Sequence, residues 1–144
     1  MKKKSIILAV SAFALILFVT GCGSKKATLV CTQTTSGVDI TFNVGFKGNT
    51  ITTMDFDYDM DLSKYSDTQI EAVGKQDFCT SVKNSMGSYK NAFTDCDQDI
   101  TNKHLKVSSK LDVDKIAKTV LDKMTSPESA KKELETQGFK CTIK

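Results

Sequence analysis

Apolar and polar residues alternate through most of the stretch from Ala27 to Leu62, and no other feature narrows the fold as much. Ala27, Leu29 and Cys31 form one series, Val38, Ile40, Phe42, Val44 and Phe46 a second, and Met54, Phe56, Tyr58, Met60 and Leu62 a third. Period two sends alternate side chains to opposite faces, so each series is a strand with one dry and one wet face. Ser36-Gly37 and Lys47-Gly48-Asn49 separate the series, and glycine and asparagine tolerate the positive φ of a tight turn. The pattern predicts a three-stranded antiparallel meander whose apolar face needs a cover.

The remainder supplies that cover and extends the sheet. Ser66 with Gln69 is a capping box, and Ile70, Val73, Phe78, Val82 and Met86 recur at helical spacing, which predicts one long helix from Asp67 to about Gly87. From about Gln98 to Leu111 a fourth strand sets Leu105, Val107 and Leu111 against His104, Lys106, Ser108 and Lys110. Its basic face suits it to lie antiparallel beside the strand that carries Asp55, Asp57, Asp59 and Asp61. Asp112 caps a second helix with Val113, Ile116, Val120, Leu121 and Met124 on one stripe. Ser126-Pro127-Glu128 opens a third, Gly138 closes it, and Phe139, Cys141 and Ile143 alternate as a last strand. The expectation is an α+β fold: an antiparallel sheet of about five strands with about three helices packed on one face, preceded by a signal-peptide helix.

The first residues belong to export. Lys2, Lys3 and Lys4 precede an apolar run from Ile6 to Val19, broken only by Ser11, and Val19-Thr20-Gly21-Cys22 follows. That run is 14 residues long, short of the roughly 20 that a spanning helix needs. A basic start, an apolar middle and a small residue before a cysteine describe a lipoprotein signal. The reading is residues 1–21 as signal peptide, cleaved between Gly21 and Cys22, residues 22–27 as lipidated cysteine and short tether, and residues 28–144 as a single domain. The Cys22 sulfur takes a diacylglycerol, and its freed amine an N-acyl chain such as palmitate where processing adds one. No other cofactor is expected. The domain would sit on the extracytoplasmic side of the cell membrane, held by its lipid.

With the leader gone, 17 basic residues face 17 acidic ones, and every basic residue is a lysine. A balanced charge and the absence of the guanidinium fork argue against a nucleic-acid partner. Four cysteines remain: Cys31, Cys79, Cys96 and Cys141. An even number in an exported domain reads as two disulfides, and no pair has the Cys-x-x-Cys spacing of a redox or zinc site. Three pairings are open. The favoured one joins Cys79, on the inner face of its helix, to the nearby Cys96, and Cys31 to Cys141, which lie on inward faces of the first and last strands.

Asp55, Asp57, Asp59 and Asp61 are the most conspicuous polar series. A calcium loop of the EF-hand type needs glycine at its sixth position and glutamate at its twelfth; counted from Asp55 these are Met60 and Ser66, and from Asp57 they are Leu62 and Thr68. Alternate residues on a strand stand about 7 Å apart, so at most two carboxylates could share an ion. The four are therefore weak metal candidates and read first as a solvated face. Nothing resembles a nucleophile elbow, a phosphate loop or a zinc-binding His-Glu-x-x-His, and the single histidine, His104, falls on a polar strand face. No catalytic residue is assigned. The expected function is that of a membrane-anchored envelope lipoprotein with a non-enzymatic binding or interaction domain. Its partners would be membrane lipid through the anchor and an envelope protein or wall component. The alternative is a cell-surface hydrolase that uses aspartate carboxylates.

The lipoprotein signal, the alternating strands around Phe46-Lys47-Gly48-Asn49 and the closing Gln137-Gly138-Phe139-Lys140 resemble the YehR family of bacterial lipoproteins. The resemblance implies an envelope lipoprotein of uncharacterised function and brings no active site with it.

Overall fold

The structure, a computed structural model, describes residues 25–144. Gly21, Cys22 and the expected signal helix lie outside the described residues. Six strands form one antiparallel sheet: β1 (Lys26–Thr35), β2 (Val38–Lys47), β3 (Thr50–Asp61), β4 (Phe93–Thr101), β5 (His104–Leu111) and β6 (Lys140–Ile143), in the order β4-β5-β3-β2-β1-β6. The helices are short: α1 (Asp67–Gly74), α2 (Phe78–Ser85), α3 (Lys118–Leu121) and α4 (Pro127–Thr136), with 3-10 turns at Gly87–Ala92 and Val113–Lys115. Among the described residues no helix is long and apolar enough to cross a membrane.

This overturns the expectation of about five strands with about three helices packed on one face. The expected fourth strand is a hairpin, β4 and β5, turning at Asn102 and Lys103 with φ of 53° and 61°. Two successive positive φ values make the turn whose twist suits a two-residue hairpin. Asparagine adopts that conformation readily but lysine does not, so only half of the turn is signalled locally. The expected long helix breaks after Gly74. Asp77 caps α2, its carboxylate accepting from the Thr80 amide at 2.9 Å. Gln98 of β4 clamps the break from outside, accepting from the Phe78 amide at 2.9 Å and donating to the Gln76 carbonyl at 2.8 Å. The expected second helix shrinks to a 3-10 turn and one turn of α-helix, because Ile116 takes an extended backbone (φ −71°, ψ 135°) that buries its side chain.

The inner face of the sheet and the helices share one core. Leu29, Val44, Leu105 and Val107 are fully buried on the strands, and Val82, Met124, Ala130 and Leu134 pack against them from the helical side. A bulge in β4 shifts the register between Thr94 and Asp97, with Asp95 at φ 47°. One inserted residue reverses which face the following side chains meet. Cys96 is thereby turned toward α2, where it is bonded to Cys79. Cys31 and Cys141 are directly opposite on β1 and β6 and form the second disulfide. At Gly45, beside an irregularity in the β2–β3 pairing, an added side chain would collide with the Thr53 hydroxyl, so a larger residue requires that hydroxyl to turn away.

Candidate functional site

The strand alternation sets the outer face of the sheet apart as a polar surface. In register, Asp55 lies opposite Lys110, Asp59 opposite Lys106 and Asp61 opposite His104, with Asn43, Thr41 and Asp39 on the other flank of β3. Three of the four carboxylates have a local role. Asp57 accepts from Ser108 Oγ at 2.7 Å and from Asn43 Nδ2 at 3.5 Å. Asp59 Oδ1 lies 2.6 Å from His104 Nδ1. Asp61 accepts from the Ser63 amide at 2.7 Å, and the Ser63 amide and hydroxyl hold its carboxyl below the usual carboxylate range. Asp55, Asp57, Asp59 and Asp61 thus point the same way without converging. Among the described residues no three His, Cys, Asp or Glu side chains come together to hold a metal ion.

A cleft opens on the opposite, inner face. It holds about 230 Å³ between the far part of β2 and β3, α2 with its following 3-10 turn, and the α4–β6 junction. Phe42 forms its floor, with ring centroids 5.1 Å from Phe56, 5.4 Å from Phe139 and 5.9 Å from Tyr89. The pairs are edge-on or tilted, the arrangements that the aromatic quadrupole favours. Ile40, Tyr58, Met86 and Phe139 are only partly buried at its walls, and no charged side chain lines it. Small-ligand sites of about 300 Å³ and more have mostly apolar and aromatic walls, and this cleft has such a wall at a smaller volume. Sequence reading placed Tyr58 and Phe139 on strands and ended the long helix near Gly87, just before Tyr89. What it missed is that α2 stops short and leaves Tyr58 and Phe139 partly uncovered.

Tyr89 is 9% exposed, and its hydroxyl is buried without a hydrogen-bond partner among the described residues. Burial, helped by the negative charge of Glu133, pushes its pKa up to about 12. The folded protein therefore keeps the proton where an unfolded chain gives it up near pH 10. Stability attached to this group is whole below pH 10 and is lost as pH rises toward 12. Tyr89→Phe removes a hydroxyl that has no partner, and is expected to raise the unfolding free energy by about 1 kcal/mol. Urea titrations at pH 7, and again at pH 9 and 11, check both effects: the variant is the more stable, and its alkaline decline is shallower.

No family model matches this chain, and no curated protein matches it. Two solved structures are similar to it. One is the NMR structure of the E. coli YehR protein, at 16% identity and a TM-score of 0.49, covering 83% of this chain and 93% of that one. The other is the NMR structure of a protein from Streptococcus pneumoniae TIGR4, at 15% identity and a TM-score of 0.44, covering 99% of this chain and 97% of that one. Family membership does not follow from likenesses of this size, and no role passes from either protein to this one.

Proposed function

We propose that this chain is a lipid-anchored protein of the cell envelope whose folded domain binds a partner and catalyses nothing. The observation that carries the reading is how soon folding starts after the processing site. Only Gly23, Ser24 and Lys25 stand between Cys22 and the first residue of β1. The four residue steps from Cys22 to Lys26 span at most about 14 Å, so a lipid on Cys22 holds the domain close to the bilayer surface. Two acyl chains, each methylene contributing about 0.8 kcal/mol, make that attachment lasting without any apolar belt on the protein. The aromatic cleft supports the binding half of the proposal, since its wall is uncharged and mostly aromatic or aliphatic, with the Ser85 hydroxyl donating to the Val82 carbonyl at 2.7 Å.

Mass spectrometry of the protein recovered from membranes tests the anchor. The expected product begins at Cys22 and carries a diacylglyceryl group on that sulfur. A product that keeps Met1 and an unmodified Cys22 overturns the proposal.

A further inference from the structure

Charge in the folded domain is segregated, although acidic and basic residues balance. Lys26 of β1 stands directly opposite Lys47 of β2. Lys144 exchanges backbone hydrogen bonds with Thr28 at 3.0 and 2.8 Å, which sets it diagonally beside Lys26. The Lys25 carbonyl accepts from the Gly48 amide at 2.8 Å, closing the same corner. All four lysines are exposed. Segments 25–28, 46–53 and 140–144, which build this end of β6, β1, β2 and β3, contain no aspartate or glutamate. Among the described residues none of the four lysines has a carboxylate within ion-pair distance, while lysines elsewhere, Lys75, Lys103 and Lys123 among them, do. Aspartates line β3 and β4, and Asp112 and Asp114 flank the start of β3 at this end, on its β5 side, away from β1 and β6.

Like charges set opposite each other on neighbouring strands oppose pairing. An arrangement that keeps them, none of them in an ion pair, at the corner where the chain leaves for Cys22 suits an anionic surface met there. We propose that this corner, formed by Lys25, Lys26, Lys47 and Lys144, is a docking surface for the anionic lipid headgroups of the membrane that holds the anchor. The inference rests on the lipid anchor proposed above. A tether of at most about 14 Å is under two Debye lengths at physiological salt, so the lysines lie within the field of a negatively charged bilayer. A basic residue close to such a surface strengthens association about fivefold. Docking by this end also orients the domain. Tyr58 is eight residues along β3 from Thr50, about 27 Å at the rise of a strand, so the aromatic cleft is carried away from the membrane, toward whatever the protein binds.

The test uses the full-length protein, processed in cells, purified with its lipid and reconstituted into two kinds of vesicle. One is phosphatidylcholine alone, the other contains about one-third phosphatidylglycerol. A membrane-impermeant acylating reagent labels the lysines, and peptide mass spectrometry reads the rate at each. Lys26, Lys47 and Lys144 are expected to react about fivefold more slowly on anionic vesicles than on neutral ones. Lys64 and Lys103, at the opposite end of the sheet, are expected to react alike on both, and 0.5 M sodium chloride removes the difference. Equal rates at the corner on both vesicles overturn the docking surface, as does protection that spreads to Lys64 or survives the salt. The N-terminal peptide from the same digest separates the two proposals. A lipidated Cys22 with unprotected lysines overturns the docking surface alone; a Cys22 without glyceride overturns both.

Discussion

Replacing Cys31 and Cys141 together with alanine is expected to lower the unfolding free energy by about 4 kcal/mol and the melting temperature by roughly 15 °C. The bridge joins residues 110 apart, against 17 for Cys79–Cys96, and loop-closure entropy in the unfolded chain grows with the logarithm of that separation. Removal of Cys79–Cys96 is accordingly expected to cost less, about 3 kcal/mol. The longer bridge has a second role that loop entropy leaves out. β6 is four residues long and stands at the edge of the sheet, held on one side only by β1. Without the sulfur link its few backbone hydrogen bonds open more often, and the edge of β1 is left as an unpaired template for another chain. Calorimetry of the two paired variants checks the order of the losses. Hydrogen exchange should show residues 140–144 losing protection in the Cys31 and Cys141 variant. A smaller loss there than in the Cys79 and Cys96 variant contradicts the argument.

The parts of the fold that sequence reading reached are those whose reasons are local. β1, β2 and β3 alternate cleanly because one face of each is wet, and Ser36-Gly37 turns with φ of 53° and 80°, as a serine–glycine pair readily does. α4 begins at a serine cap with proline in its first turn, both visible in the chain. The reading failed where the deciding contact comes from elsewhere. The gap between α1 and α2 is held by Gln98, about twenty residues downstream, whose amide serves both sides of the break. A helical period running through Ile70 to Met86 contains no trace of that contact. The hairpin between β4 and β5 was hidden because Asn102-Lys103 reaches a left-handed conformation that local propensity does not assign to lysine. The aromatic cleft was hidden for a related reason: each of its residues is an ordinary core residue in its own element, and only the early end of α2 leaves them partly uncovered. The aspartate series was easy to see, yet three of its four carboxylates are spent one by one on Ser63, Ser108 and His104. The lysine corner joins residues from the start, the middle and the end of the described chain, which no window along the sequence brings together.

Phe42→Ala is expected to destabilise the domain by about 3 kcal/mol, toward the lower end of the range for removing a buried aromatic ring. Phe42 is 6% exposed and touches three other rings, so the loss of apolar contact is nearly complete. Its void would adjoin the cleft, however, and water entering from there spares the protein a sealed empty cavity, which is why the higher values are not expected. Phe42→Leu keeps most of the volume and is expected to cost about 1 kcal/mol. The same alanine variant should admit water to the Tyr89 ring, which Phe42 faces at 5.9 Å. Desolvation is the larger cause of the raised Tyr89 pKa, so hydration should bring its titration down from about 12 toward its ordinary value of 10. Urea unfolding reads the first effect and the ultraviolet titration of tyrosinate the second. A large loss of stability with Tyr89 still titrating near 12 would mean that the ring cluster and the cleft are separate features. A joint shift places the floor of the cleft inside the core, so that a ligand seated there is bound by residues that also hold the sheet to its helices.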